Sequence, residues 1–363
     1  VGFIGYDAMR YWETKLANGR KPGSAFPDMQ FCFYEEGVIY DHQNSKTYYF
    51  HSSRVRERRR EVLEMAGKPV ESEEAGKFSV SGIKTNVKQR KFEASVRRAK
   101  DHIRNGDIFQ VVLSKRFEFD FEGDLLPFYS ELRKLNPSPY MYFLDFGKTS
   151  IVGSSPEMLV RVERGIVETF PIAGTRPMTA SETQNRKLRK ELLADLKERA
   201  EHVMLVDLAR NDVGRVAEFG TVSVPEFMVV KSFSHVQHIV SQVKGKLRAG
   251  LDSFDALRSI FPAGTVSGAP KIRAMEIIDE LETDARGPYA GAVGYFSFNG
   301  NMDSAITIRT LVSHGSNKAS IQAGAGIVAD SDPETEWFET EHKARALFSA
   351  IELASGKSKQ RGT

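Results

Sequence analysis

Strand-forming segments follow one another directly along this chain instead of alternating with helices. Residues 140–174 contain YMYFLDF, SIVGSS and LVRVERGIVETFPIAG, the last with a turn at Arg164-Gly165. Residues 289–328 add three strand-like runs, of which YAGAVGYFSF and DSAITIRTLVS are predicted to form a hairpin around Asn299-Gly300. These unequal blocks of strands and helices predict an α+β fold with a mainly antiparallel sheet, not a doubly wound parallel one.

Helical patterns lie between and after the strand blocks. Apolar spacing predicts helices over about 86–105, 181–209 and 333–354. A further helix is predicted in SGAPKIRAMEIIDELE, with Ser267 as its cap and Pro270 in its first turn.

The polar, turn-rich segment GKPVESEEAGK at 67–77 is the best linker candidate. It predicts an N-terminal region over 1–85 that includes the linker, a main domain over 86–355 and a polar tail over 356–363. The chain begins at Val1, without Met, inside the strand-like VGFIGYD. Because a natural domain rarely starts within a strand, we expect that an N-terminal segment is missing.

Composition excludes several classes of protein. The 51 Lys and Arg residues against 48 Asp and Glu leave a net charge of +3, too small an excess to indicate nucleic-acid binding. The single cysteine, Cys32, excludes an internal disulfide and a cysteine-rich zinc site, and it fits a reducing compartment. No apolar run approaches the roughly 20 residues that span a bilayer, and no segment of this sequence is predicted to be a signal peptide. We therefore expect a cytoplasmic protein that binds neither nucleic acid nor membrane.

The segment GAGIVADSDPETEWFETEHKARAL at 324–347 is the richest in chemistry. On its predicted helix, Glu336, Glu339 and Lys343 fall at i, i+3 and i+7 and so share one face. Such a face is often solvated and salt-bridged. Here it is free to line a cleft, because a separate stripe supplies the apolar contacts: Trp337, Ala344, Leu347 and Phe348. Before the helix, the backbone of Gly324-Ala325-Gly326 can approach a ligand carboxylate closely.

A second carboxylate lies in AEHVMLVDLARND at 200–212. Glu201 recurs with Leu205 and Leu208 at helical spacing, so it points toward the core side of its helix. A buried glutamate must be paired, protonated or bound to metal. Two glutamates from distant segments, without His or Cys nearby, suit a hard ion such as Mg²⁺, which takes one or two protein carboxylates.

Three further polar residues stand out. His238 is predicted to be a single polar or acid–base histidine, and FPAGTVSGAPK at 261–271 lacks the spacing of a phosphate loop and more plausibly presents the Thr265 hydroxyl. Arg309 alternates with apolar neighbours on a predicted strand. It either pairs with a buried acid or binds an anionic substrate.

Five segments together resemble the chorismate-binding enzymes, most closely the anthranilate synthase component I family, in one order over 86–353. They are PIAGTRP (171–177), EHVMLVDLARND (201–212), FPAGTVSGAPK (261–271), GPYAGAVGYF (287–296) and GAGIVADSDPETEWFETEHKA (324–344). The resemblance implies a large β-sandwich flanked by helices, with the site in a cleft between its halves. It also implies an enzyme that converts chorismate and ammonia to anthranilate and pyruvate, the first step of tryptophan biosynthesis.

The resemblance also implies the roles of individual residues. Glu201 and Glu339 would hold Mg²⁺, with Glu336 behind them. Glu157 and His238 would assist loss of the ring hydroxyl and proton transfer, with Thr265 and Lys343 completing the site. Substrate would be bound by Gly174, Thr175, Tyr289, Arg309 and the backbone of Gly324, Ala325 and Gly326, with Tyr289 and Arg309 on the enolpyruvyl carboxylate.

Two positions distinguish members of this family. The salicylate and isochorismate enzymes carry a lysine at the position of Gln110 that activates water, and a glutamine has no basic nitrogen to do so. The aminodeoxychorismate synthases carry a nucleophilic lysine at the position of Ala173. Of the reactions in this family, the one that remains is attack of ammonia on the ring followed by elimination of pyruvate. The alternatives are an aminodeoxychorismate synthase component I and a tryptophan-sensing subunit that has lost catalysis.

Ammonia and feedback control point to partners. A glutaminase needs a reactive cysteine with a histidine partner, and Cys32 has no such context. A separate glutamine amidotransferase subunit, and hence a hetero-oligomer, is implied, with free ammonia as the fallback. NPSPYMYF at 136–143 resembles the family's L-tryptophan feedback element, with Pro139, Tyr140 and Met141 as the contacts. The other feedback element of the family, a Leu-Leu-Glu-Ser stretch, is absent from this sequence.

Overall fold

The computed structural model describes residues 1–17, 26–67, 78–233, 236–315 and 317–356. Nearly all of the predicted linker and of the predicted polar tail lie outside the described residues.

The strands are numbered in chain order. They are β1 (Gly2–Ile4), β2 (Met29–Phe31), β3 (Glu36–Asp41), β4 (Lys46–His51), β5 (Ser79–Thr85), β6 (Gln110–Glu122), β7 (Tyr140–Asp145), β8 (Thr149–Ser155), β9 (Met158–Glu163), β10 (Ile166–Thr169), β11 (Ile172–Pro177), β12 (Ser223–Ser232), β13 (Val236–Lys246), β14 (Gly268–Ala269), β15 (Ala292–Phe296), β16 (Met302–Ile306), β17 (Thr310–His314) and β18 (Lys318–Ile327).

The helices are numbered in the same way. They are α1 (Arg59–Gly67), α2 (Gln89–Arg104), α3 (Leu126–Leu135), α4 (Glu182–Ala194), α5 (Leu196–Gly214), α6 (Ser253–Ile260), α7 (Lys271–Leu281) and α8 (Pro333–Ala354). Within the described ranges, no helix is long and apolar enough to cross a membrane.

The strands form two large sheets and a separate β3–β4 hairpin. The larger sheet has the order β11-β13-β10-β9-β16-β15-β1-β2, with β12 on β13, and the smaller sheet has the order β14-β6-β18-β17-β8-β7, with β5 on β6. Every pairing between these strands is antiparallel. The predicted α+β fold with mainly antiparallel sheets and flanking helices is confirmed.

Each sheet packs against its own helices. Val162 and Val167 of the larger sheet join Val206 of α5 and Leu257 of α6 in one apolar core. In the smaller sheet the core contacts come from β6, β17 and β18 against α3 and α8, and they include Phe117, Leu132, Ile321 and Leu347. α2 and α7 cover a third core beside α8, in which the ring of Trp337 lies edge-on to Phe92.

The chain passes from one sheet to the other at two adjacent places. β8 belongs to the smaller sheet and β9 to the larger, so the crossing falls at Pro156 and Glu157. β16 and β17 belong to different sheets as well, with Arg309 in the gap at a φ of 52°. The single strand predicted over DSAITIRTLVS is therefore wrong. The run is two strands, because the backbone leaves one ladder before it joins the next.

The single helix predicted over 181–209 is also wrong, because it is divided at Asp195. This residue has an extended ψ of 112°, and its carboxylate accepts hydrogen bonds from the backbone N–H groups of Lys197 and Glu198. Asp195 thus ends α4 and caps α5. The divided helices still place Glu201 in α5.

Ser267 does not cap α7, contrary to the prediction. Its hydroxyl donates to the carbonyl of Ala263, and Gly268 and Ala269 form β14 on the edge of β6. α7 begins only at Lys271, after Pro270. Pairing with β6 keeps this segment extended, which overrides its local signal for a helix start.

The predicted boundary at residue 85 stays a prediction. β1 pairs with β15 and β5 pairs with β6, so strands from the first 85 residues hydrogen-bond to both sheets.

A buried ion pair joins α5 to α7. Nζ of Lys271 lies 2.6 Å from Oδ2 of Asp212 and 2.5 Å from the carbonyl oxygen of Ile260. Burial raises the pKa of Asp212, and the Lys271 charge opposes that rise.

We expect Lys271→Met to lower the free energy of unfolding by about 3–5 kcal/mol, because it leaves a buried carboxylate without its partner. The double variant Lys271→Met/Asp212→Leu should recover most of the loss, since it removes both charges. Urea unfolding followed by circular dichroism measures both. A loss below about 1 kcal/mol in the single variant would mean that solvent reaches Asp212 and that the pair behaves as an exposed one.

Candidate active site

A cavity of about 710 Å³ lies beside the two sheet crossings and is lined by residues from both sheets, α5 and α8. Most residues that the sequence singled out meet there. The lining includes Glu157, Gly174, Thr175, Glu201, His238, Thr265, Tyr289, Arg309, Gly324, Gly326, Glu336, Glu339 and Lys343.

Four predicted residues are not part of this lining. Ala325 is fully buried in the core beneath α2 and α7, because its side chain points to the opposite face of β18 from Gly324 and Gly326. Pro139, Tyr140 and Met141 lie at the start of β7, outside the cavity lining.

Glu157 stands at the first sheet crossing with its carboxylate against Thr265. The Thr265 hydroxyl donates to Oε1 of Glu157 over 2.9 Å. Burial raises the pKa of Glu157 to about 7, although the Thr265 hydrogen bond and the Lys343 charge oppose the rise. Glu157 can therefore hold a proton near neutral pH and donate it.

Arg309 stands at the second crossing, not on a strand. Its backbone carbonyl accepts from the amide of Ser154, which ties the crossing to β8. Burial lowers the pKa of its guanidinium, and none of the described carboxylates forms an ion pair with it. Of the two roles expected for this arginine, binding an anionic ligand is the one that the geometry leaves open.

The glutamate face of α8 looks into the cavity opposite α5. Nζ of Lys343 lies 2.7 Å from Oε1 of Glu339 and 2.9 Å from the carbonyl oxygen of Gly324. Glu336 is only 7% exposed, and its Oε2 has no hydrogen-bond partner. Burial raises the pKa of Glu336 and of Glu201, so both would gain from a nearby cation.

The donor set of this cluster fits a hard divalent cation. Carboxylate oxygens from α5 and α8 face one space, and one of them is buried without a partner. Within the described part of the chain, no three His, Cys, Asp or Glu side chains lie close enough together to hold a metal ion by themselves. One or two carboxylates with several waters are sufficient for Mg²⁺.

Gln110 lies at the start of β6, on the wall beside Glu201. Its Nε2 donates to Oε1 of Glu201 over 3.1 Å, whereas its buried Oε1 has no partner. The amide of Gln110 has no basic nitrogen, so this side chain cannot take up a proton near neutral pH. Ala173 also lines the cavity and brings no functional group.

Steric contacts explain why glycine occupies the predicted binding positions. A Cβ on Gly324 would lie 2.6 Å from the hydroxyl oxygen of Tyr289, and one on Gly326 would lie 2.6 Å from Nε2 of Gln110. Gly174 adopts a φ of 66°, which favours glycine. Its carbonyl accepts from Nδ1 of His238 over 2.8 Å.

The hydrogen bond to Gly174 indicates which ring nitrogen of His238 carries the hydrogen. Because a carbonyl only accepts, Nδ1 carries the hydrogen and Nε2 is left as the acceptor. Burial lowers the pKa of this imidazole, although the hydrogen bond to the Gly174 carbonyl opposes the fall. His238 is therefore neutral and can accept a proton at Nε2.

Sequence reasoning missed five polar residues of the lining, which are Lys197, Glu198, Gln322, Ser331 and His342. Glu198 precedes Glu201 by three residues, the same spacing that identified Glu336 and Glu339, so helical periodicity could have found it. Gln322 precedes Gly324 by two residues on β18 and so shares its face. The structure adds that Arg176 lies 3.0 Å from Glu198 and 3.0 Å from Asp195.

Known proteins resemble this chain closely. The family of chorismate binding enzymes matches residues 1–349. Anthranilate synthase component 1 from Methanothermobacter marburgensis is 51% identical over 355 residues, 98% of this chain and 75% of that protein. Its counterpart from Acetivibrio thermocellus is 50% identical over 372 residues, with the same two coverages of 98% and 75%. Anthranilate synthase component I from Streptococcus pneumoniae superposes with a TM-score of 0.87 at 44% identity, covering 96% of this chain and 79% of that one.

The match extends over both sheets and over every segment that lines the cavity. The chain therefore belongs to the chorismate-binding enzymes, within their anthranilate synthase component I branch.

Proposed function

We propose that this chain aminates chorismate at its ring and eliminates pyruvate, giving anthranilate. The relatives named above carry the name of this activity. The observation that carries the choice among chorismate reactions is the uncharged amide of Gln110, which lines the cavity and donates to Glu201 over 3.1 Å. An amide has no basic nitrogen, so this side chain cannot deprotonate water.

The other members of the family would need groups that are missing here. A water-adding enzyme requires a base where Gln110 stands, and a covalent amination requires a nucleophile where Ala173 stands. Neither side chain has a basic nitrogen. The aminodeoxychorismate synthase alternative and the inactive sensing subunit remain outcomes of the tests below.

Chorismate is a dianion, and the cavity offers it matching donors. Arg309 has no acidic partner among the described residues, and Tyr289 presents its hydroxyl beside Gly324. We assign these two residues to the enolpyruvyl carboxylate, and the backbone around Gly174, Gly324 and Gly326 with Thr175 to the remaining polar groups. Lys343 neutralises Glu339 and borders the same space.

Glu201 and Glu339 would hold Mg²⁺ directly, and Glu336 would hold its waters. When bound there, the ion supplies positive charge opposite the ring carboxylate. Without the ion, the negatively charged ring carboxylate would enter a cavity that already contains buried glutamates, which is electrostatically unfavourable.

Glu157 and His238 divide the proton transfers. Glu157, protonated near neutral pH and held by Thr265, donates its proton to the departing ring hydroxyl. His238 carries its hydrogen on Nδ1 and accepts a proton at Nε2. A carboxyl with a raised pKa and an imidazole with a lowered pKa thus serve as acid and base at the same pH.

Partners and regulation complete the proposal. The component I relatives imply a second component, and we assign to it a glutamine amidotransferase that supplies ammonia in a cytoplasmic hetero-oligomer. L-Tryptophan would bind at Pro139, Tyr140 and Met141, next to the hydrogen bond from Tyr140 to Asp303 (2.9 Å). Residues 1–85 would be the rest of a regulatory region, and 86–355 the catalytic domain.

The identity of the product tests the function directly. With chorismate, ammonium and Mg²⁺ at alkaline pH, we expect the fluorescence of anthranilate together with one equivalent of pyruvate. Accumulation of 4-amino-4-deoxychorismate, isochorismate or salicylate would overturn the assignment of Gln110 and Ala173. Tryptophan binding by calorimetry without turnover would support the sensing subunit instead.

We expect Glu339→Gln to lower Mg²⁺-dependent turnover by about 100-fold or more, because the ion loses a direct ligand. Mg²⁺ should raise the Tm of the parent chain and should not raise that of the variant, since only the parent binds it. Glu352→Gln, on an exposed position near the end of α8, is the matched control. Equal metal stabilisation of both variants would place the ion elsewhere.

The pH dependence of the reaction rate should follow the protonation of Glu157. Its protonated form is lost as pH rises through about 7, so at constant free NH₃ the rate should fall above that pH by about tenfold per unit. Thr265→Ala removes a hydrogen bond that lowers this pKa, so the fall should move to higher pH, whereas Thr265→Ser should leave it in place. An unchanged profile in Thr265→Ala would mean that another group is the acid.

A further inference from the structure

Arg286 lies beneath the cavity, in the turn between α7 and β15. It is 4% exposed and does not line the cavity. None of the roles assigned above uses it, although it is among the most enclosed charges of the described residues.

Its guanidinium is almost fully hydrogen-bonded. Nε and Nη2 donate to the two carboxylate oxygens of Glu282 over 2.9 and 2.7 Å. Nη1 donates to the carbonyl of Val266 over 2.8 Å, and Nη2 also donates to the carbonyl of Val112 over 2.7 Å. The fork of this arginine therefore joins three separate segments.

Two of these segments, those of Val266 and Val112, carry part of the cavity wall. Val266 follows Thr265, whose hydroxyl holds Glu157. Val112 stands opposite Gly326 in the pairing of β6 with β18. The Tyr289 ring lies 5.6 Å from the guanidinium carbon of Arg286, and the Tyr6 ring lies 4.6 Å from it on a second side.

Hydrogen bonds also connect Glu282 to the cavity lining. Oε1 of Glu282 accepts from the amide and the hydroxyl of Ser114 over 2.8 and 2.9 Å. The same hydroxyl accepts from Nε2 of Gln322, a residue of the lining, over 2.8 Å. Because Glu282 compensates the charge, Arg286 adds no net charge under the site. Its effect is geometric, together with the polarisation of the aromatic ring that it contacts.

We propose that Arg286 is a positioning residue that holds Tyr289 and the Thr265 turn in register and so fixes the place of the Tyr289 hydroxyl relative to the substrate carboxylate. This inference rests on the proposed function. Lysine cannot replace the arginine, because a single ammonium has no planar fork to reach two carbonyls and a carboxylate at once.

A double-mutant cycle on the full chain tests this role with anthranilate formation as the assay. We expect Arg286→Lys to raise KM for chorismate by about tenfold through Tyr289, and to lower kcat severalfold through Thr265 and Glu157. In the Tyr289→Phe background, which lacks the hydroxyl, the effect of Arg286→Lys on KM should shrink by at least about threefold. A merely structural arginine would not produce this coupling.

Arg10→Lys is the matched control for a generic loss of a buried arginine. Arg10 makes a bidentate pair with Asp279 at 2.8 Å and does not line the cavity, so its replacement should lower Tm and leave KM and kcat unchanged. If Arg286→Lys does not fold, Arg286→Met/Glu282→Gln removes the buried charges together and takes its place in the cycle.

The possible outcomes separate the two proposals. If the parent chain forms no anthranilate, the proposed function fails. If it does, but Arg286→Lys multiplies KM equally with and without the Tyr289 hydroxyl, or Arg10→Lys changes KM as much, the positioning role is overturned and the function stands.

Discussion

Two adjacent crossings between the sheets, which run in opposite directions, are the constraint on which the site depends. β8 pairs with β17 in the smaller sheet, and β9 pairs with β16 in the larger one, so the chain must change sheets twice at the same level. The crossings are tied by hydrogen bonds from Ile306 to the carbonyl of Glu157 (3.0 Å) and from Ser154 to the carbonyl of Arg309 (3.1 Å). Residues at a crossing belong to neither ladder. Their side chains are therefore free to enter the cavity that both sheets border.

The electrostatics of that cavity indicate which ligands its residues would favour. Burial raises the pKa of Glu157, Glu201 and Glu336, so it disfavours their ionised forms. Burial also lowers the pKa of Arg309, which lacks an acidic partner within the described ranges. A cation beside the glutamates and an anion beside the arginine would each satisfy groups that the protein alone leaves unsatisfied. Mg²⁺ and a dicarboxylate match both needs.

Local patterns predicted the elements well where neighbours in sequence decide the structure. α8 begins and ends where its apolar spacing indicates, and the turn at Asn299-Gly300 joins two paired strands. The failures have non-local causes. An extended Asp195 divides one predicted helix, and β14 is held extended by its pairing with β6. The strand over 303–313 is split because its halves pair with different sheets.

The sequence by itself determined which candidate groups share a face on a single element. The glutamate face of α8 follows from helical periodicity, and the absence of lysine at Gln110 and Ala173 can be read directly. Only the tertiary structure decided that Glu201 meets α8, that Ala325 points away from the cavity, and that the guanidinium carbon of Arg286 lies 5.6 Å from the Tyr289 ring. These relations join segments far apart in the chain, and they arise from strand pairing and buried hydrogen bonds that no local pattern encodes.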